Sequence, residues 1–194
     1  MDLTEVVARR RMVRRYRDTP VDPRAIERIV TLACAGPSAG FSQGQSFVVL
    51  TDDGTRRRIA EIAGEAAYVA KGFDAWLSTA PVHVVPCVSR EAYVERYAEP
   101  DKASSVAPGE WDIPYWWVDG GAAFMLLLLG AVDEGLAAGF LAVDVRALRE
   151  LLGIPEHVAP LGVVTIGHPE ADRRSGSLAR GWRPREEMIR WERW

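Results

Sequence analysis

Strands separated by helices, one helix-length run with no polar side chain, and the lack of any repeat or low-complexity linker predict a sheet packed between helices. That is the α/β or α+β class, in one domain spanning residues 1–194. The polar-free run extends from Gly120 to Val132, so a helix built from it must be covered on every face. Pro114 suits the first turn of that helix, and Gly135 falls where a stop is expected. The run is shorter than the roughly 20 apolar residues of a membrane span. Its small leading residues, Gly120 to Ala123, admit another backbone closely. We therefore expect a buried central core helix at or near a dimer interface.

The flanking elements follow from local signals. Leu3, Val6 and Val7 mark a short amphipathic helix. It runs into a stretch with six arginines among residues 9–17, the strongest charge feature of the chain. Their mutual repulsion leaves two readings open, a solvated basic arm or a phosphate site for which guanidinium is a natural ligand. Asp22-Pro23 starts a helix as N-cap and first helical residue, Ile26, Ile29, Val30 and Ala33 form its buried stripe, and Gly36-Pro37 ends it. Ser38 to Gln45 is a small polar loop, longer than a turn requires, leading into a strand at 46–51. Loops on rigid scaffolds often carry binding groups.

Asp52-Asp53-Gly54 is a turn signal, and two helical stretches follow at about 55–63 and 65–77. Residues 82–88 read as a buried strand, and Ser89 caps a helix through Tyr97. Residues 98–113 form a loop ending among Trp111, Tyr115, Trp116 and Trp117, aromatics that suit a lid, a pocket wall or plain packing. A strand at 138–143, a helix capped by Asp144 and stopped by Gly153, and a strand at 161–166 complete the body. The tail from about 170 to 194 is basic at Arg173, Arg174, Arg180, Arg183 and Arg185 and aromatic at Trp191 and Trp194. It is too poor in apolar residues to fold alone and is expected to dock on the body or on a partner.

Composition excludes several classes. The chain is 48% hydrophobic and 26% charged, as ordinary soluble globular domains are, and its net charge of -3 argues against a nucleic-acid binder. No signal peptide is visible and no membrane association is expected, so the cytoplasm is the expected home. Cys34 and Cys87 show no metal or redox spacing and read as reduced core residues. His83, His157 and His168 lack ligand spacing and read as structural, so no metal is expected.

In order and spacing, four motifs resemble the FMN-dependent nitroreductase family over essentially the whole chain. They are Arg10-Arg11-Met12-Val13-Arg14-Arg15-Tyr16, Pro37-Ser38-Ala39-Gly40-Phe41-Ser42-Gln43, Gly135-Leu136 leading to Ala142-Val143-Asp144, and Arg180-Gly181-Trp182-Arg183-Pro184. The resemblance implies an α+β fold (an α/β sandwich), with a central mixed sheet flanked by helices and a long buried central helix. It implies a homodimer in which the arm at about 170–194 extends onto the partner. The implied activity is reduction of an electron-poor small-molecule acceptor (nitroaromatic, quinone or enone) by NAD(P)H through bound FMN. The alternatives are a flavin-binding dimer with little turnover, or a specialised branch such as a dehalogenase, an azoline oxidase or a deazaflavin-linked enzyme.

By the same resemblance, Arg10 and Arg11 reach the FMN phosphate and ribityl region with help from Arg180 or Arg183, and Arg14 lies at the N1/O2 edge of the ring. A fixed cation there stabilises the negative charge of the reduced flavin. Pro37, Ser38 and Ala39 contact the flavin of the other subunit, Gln43 joins them, and backbone amides near Leu141 and Ala142 face N5. No side chain is required as a catalytic nucleophile or acid. Three departures stand out: Met12 replaces the usual Ser, Phe41 the usual Asn, and Gly44-Gln45 the usual Pro-Trp. Phe41, Trp111 and Trp116 are the expected substrate-pocket residues.

Overall fold

The computed structural model describes residues 1–171 and 175–194, so Arg173 and Arg174 of the expected basic tail lie outside the described residues. In chain order the elements are α1 (Leu3–Arg9), α2 (Pro23–Cys34), β1 (Gln45–Leu50), α3 (Asp53–Ile62), α4 (Glu65–Val69), β2 (Val82–Ser89) and α5 (Arg90–Tyr97). There follow α6 (Tyr115–Asp133), β3 (Ala137–Leu141), α7 (Val145–Leu152), β4 (Val158–Pro160), β5 (Val163–Gly167) and α8 (Arg185–Met188). Local chemistry accounts for the ends of several of them. Asp22 accepts from the Arg24 N–H and Asp144 from the Ala147 N–H, capping α2 and α7, and left-handed Gly153 stops α7.

The strand order is β1-β2-β5-β3, with β4 paired to the far end of β2. Every pairing between these strands is antiparallel, and a parallel bridge from Met12 to Ala138 adds the mixed character at the β3 edge. Along β2 the period-two alternation sends Val82 and Val84 to one face and His83, Val85 and Cys87 to the other. The first face packs on Ile29 and Ala33 of α2 and on Leu127, Leu128 and Ala131 of α6. The second packs on Ile59 of α3 and Leu148 of α7. Helices thus cover both faces of the sheet, which makes the fold the expected α/β sandwich of the α+β class.

Helix α6 is longer than its polar-free run, because the turn from Tyr115 to Asp119 extends it to 19 residues. By length and composition alone it would suffice to cross a membrane, against the expectation from the shorter run. Its fully buried Leu127 and Leu128, worth about 2 kcal/mol each on burial, make it a core helix instead. The chain does not cover it all round, however. Trp117, Val118, Gly121 and Met125 recur at helical spacing on an exposed stripe.

Two further expectations change. The helix forecast over 65–77 stops at Val69, because Gly72 adopts a positive φ of 83° and the chain turns repeatedly before Ala80. Cys34 is exposed rather than buried, since it lies on the outer side of the last turn of α2, while Cys87 is buried and its thiol is pushed up to about 11 by burial. Each tail residue from 175 to 194 is exposed, with Trp182 at 89% and Trp194 at 99%, while Ser175 and Gly176 reach the rim of the cleft described below.

Candidate functional site

The arginine stretch folds as an extended segment along the edge of the sheet. The Val13 N–H donates to Ala138 O at 3.0 Å, and the Arg17 N–H donates to His168 O at 2.9 Å. Val13 and Tyr16 point inward and are buried; the Tyr16 hydroxyl lies 2.7 Å from Thr165 Oγ1. The arginines between them therefore point outward. So close an approach requires glycine in β3: a Cβ on Gly139 would stand 2.3 Å from Val13 O. Arg9 and Arg15 are taken by Glu5 and Glu170. Arg10, Arg11 and Arg17 have no carboxylate partner among the described residues, so their charge is available to an anion.

Arg14 leaves this segment over the face of Trp76, 5.7 Å from guanidinium carbon to ring centroid. The two share a cleft of about 540 Å³ with Glu65, Tyr68, Phe73, Leu141, Ser175 and Gly176. Its size lies within the range of small-molecule sites, and its walls combine aromatic rings with the Arg14 guanidinium and the Asp74 carboxylate. The main chain of 76–78 forms a wall fixed from behind. Glu65 Oε1 accepts N–H bonds from Trp76 at 2.8 Å, Leu77 at 2.6 Å and Ser78 at 3.3 Å. His83, fully buried, bonds through Nε2 to Leu77 O at 2.8 Å, and burial drives its pKa down to about 4, so the ring is neutral and Nε2 carries the proton. Arg56 donates to Ala80 O at 2.5 Å. The sequence carries no local signal for any of these three contacts.

The loop before β1 is held elsewhere. Asp119, buried at the start of α6, accepts from the Ala39 N–H at 2.9 Å and from the Tyr93 hydroxyl at 2.8 Å. Burial, then Asp119, pushes the Tyr93 phenol far above its ordinary range. The Gln43 N–H donates to Ser38 Oγ, and Arg96 Nε donates to Gly40 O. Phe41 and Gln43 stand at φ of 58° and 50°, a conformation that bulky side chains rarely adopt, and Phe41 is 74% exposed. Trp111 and Trp116 stack at 6.0 Å within a cluster that includes Tyr93, Tyr97 and Tyr115.

Among the site residues expected from sequence, the cleft therefore gathers Arg14 and Leu141. Met12 is bridged to Ala138, Ala142 is the exposed residue after β3, and Arg10 and Arg11 lie at the end of α1 that leads into the segment. Arg180 and Arg183 sit on the exposed tail, the latter 3.3 Å from Glu187. Pro37, Ser38, Ala39, Phe41, Gln43, Trp111 and Trp116 do not line the cleft of their own chain. No group of three or more possible metal ligands occurs among the described residues. A planar flavin fits this donor set: aromatic walls for the ring, a cation at one edge, and arginines along the segment leading away.

The model of the nitroreductase family matches residues 7–168. A putative NADH dehydrogenase/NAD(P)H nitroreductase of Methanothermobacter thermautotrophicus is 29% identical over 174 residues, covering 87% of this chain and 78% of that protein. An FMN reductase (NAD(P)H) of Bacillus subtilis is 28% identical over 167 residues, covering 84% and 64%. In fold, the chain resembles the NADPH:FMN oxidoreductase of Vibrio harveyi complexed with NAD+, with a TM-score of 0.74 at 23% identity over 98% of this chain and 77% of that one.

Proposed function

Because the chain belongs to the nitroreductase family and is an NAD(P)H-dependent flavin oxidoreductase, we propose that it is a homodimer with one FMN in each Arg14–Trp76 cleft. Its acceptors are electron-poor small molecules, a nitroaromatic, quinone or enone. A bound flavin would supply the hydride and electron chemistry between NAD(P)H and the acceptor. The protein's share is position and charge. Arg14 would supply a cation beside the ring, Trp76 and the end of β3 would bound it, and the amides near Leu141 and Ala142 would help to hold it. Arg10 and Arg11, with Arg180 or Arg183, hold the phosphate, and the Met12 main chain stands where a hydroxyl ligand is missing.

The dimer supplies what one chain lacks. The exposed stripe of Trp117, Val118 and Met125 and the exposed tail residues Trp182, Trp191 and Trp194 are apolar surfaces awaiting cover. The strained loop turns Pro37 to Gln43 outward, so in this reading it reaches the partner's flavin, with Phe41, Trp111 and Trp116 walling the acceptor pocket there. Two unpaired cysteines, one of them exposed, suit the reducing cytoplasm, where we place the protein.

The single observation that carries this reading is Arg14 over Trp76 in an aromatic cleft against the end of β3. The absorption spectrum of the purified protein, before and after anaerobic NADH or NADPH, tests it. A yellow protein bleached by either nicotinamide is expected. A protein that stays colourless after FMN is added rules the reading out.

A further inference from the structure

Of the three non-glycine residues at positive φ among the described residues, two, Phe41 and Gln43, fall in the loop at 37–43. Such strain persists only where the surroundings over-determine it, and it gathers where a residue is presented in one particular way. The last turn of α5 supplies much of that constraint. Arg96 Nε donates to Gly40 O at 2.9 Å. That oxygen belongs to the planar Gly40–Phe41 peptide, so the bond fixes the plane from which Phe41 departs. The Tyr97 ring lies against the same residue, where a Cβ on Gly40 would stand 2.6 Å from it.

Both α5 residues also reach the segment at 98–113. Arg96 Nη1 and Nη2 each donate to an oxygen of Asp101 at 2.7 Å, and Nη1 meets Glu99 at 3.1 Å. A forked pair is the firmest geometry for an ion pair at the surface, and it holds the Asp101 carboxyl below its ordinary range. Tyr97 meets Trp111 edge to face, with ring centroids 4.9 Å apart. Arg96 therefore bonds the strained loop and the 98–113 segment at once, while Phe41 beside the bond stays exposed. The clamp does not bury the Phe41 ring; it fixes the backbone that carries it.

We infer that Arg96 is a positioning residue for Phe41: by bonding both segments it holds the Phe41 ring at a set distance from Trp111, and so tunes the acceptor site toward flat two-ring acceptors over one-ring ones. Two aromatic walls at a fixed spacing reward the stacking area of a second ring, and walls free to part do not. Lysine is no substitute, because a single ammonium cannot reach Gly40 O and both Asp101 oxygens together. The inference rests on the reading above that sets Phe41 and Trp111 at the acceptor pocket.

The test compares kcat/KM of the FMN-loaded protein for a naphthoquinone and for a benzoquinone, with the nicotinamide that reduces the parent. Losses common to both quinones, such as weaker flavin uptake or partial unfolding, cancel in the ratio. Arg96→Ala is expected to lower the naphthoquinone preference about fivefold, chiefly through KM, and Phe41→Gly about tenfold. The double variant should match Phe41→Gly alone. Arg96→Lys should lose about twofold, and it serves in place of Arg96→Ala should that variant fail to fold. An Arg96 variant that slows both quinones alike, or a double variant whose losses multiply, would overturn the inference and leave the acceptor reading intact. A Phe41→Gly ratio equal to the parent's, or a parent that takes up no FMN or reduces neither quinone, removes both.

Discussion

Two irregular segments of this chain, 76–80 and 37–43, are held by the same device and put to opposite uses. In each, a buried carboxylate accepts main-chain N–H groups: Glu65 from Trp76, Leu77 and Ser78, and Asp119 from Ala39 together with the Tyr93 hydroxyl. The first segment turns its aromatic residue into the chain's own cleft. The second turns Phe41 out to solvent at a strained positive φ. The difference teaches that one kind of restraint can serve opposite ends: one segment lines the cleft of its own chain, and in the dimer reading the other is offered to a partner.

That contrast can be broken at four points. The largest effect is expected from Glu65→Ala, which strands one buried and two part-buried amides. A loss on the order of 4 kcal/mol of unfolding free energy is expected by denaturant titration, with weakened flavin uptake in the same protomer. If stability is unchanged, the wall at 76–78 is not held from behind.

Next comes a pH effect confined to the first segment. Burial keeps the His83 imidazole at about 4 in the folded chain, against an ordinary 6.5. Between those values the unfolded chain binds a proton that the folded chain refuses. Stability is therefore flat above about pH 6.5 and falls as pH drops toward 4, by about 3 kcal/mol in all. Urea unfolding of the parent and of His83→Gln at about pH 7 and about pH 4.5 checks this, because the variant should lose that part of the slope.

Asp119→Ala sharpens the other side. Two donors lose their acceptor, so a cost of about 2 kcal/mol is expected. In the dimer reading its signature is looser flavin binding and a larger KM for the acceptor, with the Trp76 wall undisturbed. Unaltered KM in a folded Asp119→Ala protein would show that the loop presents nothing. The smallest change is Phe41→Gly, which removes left-handed strain but adds freedom to the unfolded chain. A net gain of about 0.5 kcal/mol is expected in thermal or denaturant unfolding, paired with poorer turnover of apolar acceptors. Lower stability in that variant would mean that the ring packs on its own chain.

Elements with a local signature are legible in the amino-acid sequence. Asp22-Pro23 and Asp144 announce α2 and α7 because a cap is made by residues two or three positions away. The continuous apolar run at 82–88 announces a strand covered on both faces. Composition overdraws helix α4 because a turn built around Gly72 competes with helical residues, and β4 stays hidden because three residues paired to the end of β2 leave no periodic pattern. Motif order singles out Arg14 and Leu141, and the fold puts both in one cleft. Trp76 and Glu65 belong to no such motif, and only the folded chain brings them into the site.

What the amino-acid order determined by itself is whatever depends on near neighbours or on periodicity: the caps, the buried strand at 82–88 and the greasy central helix. Tertiary structure alone decided that Glu65 closes on residues 11 to 13 positions ahead, that Asp119 reaches back 80 positions to Ala39, and that Gly139 lets the arginine segment lie flush on the sheet. The physical reason is range. A hydrogen bond or a close approach between distant residues has no spacing to betray it, and exists only once the core has brought both ends together.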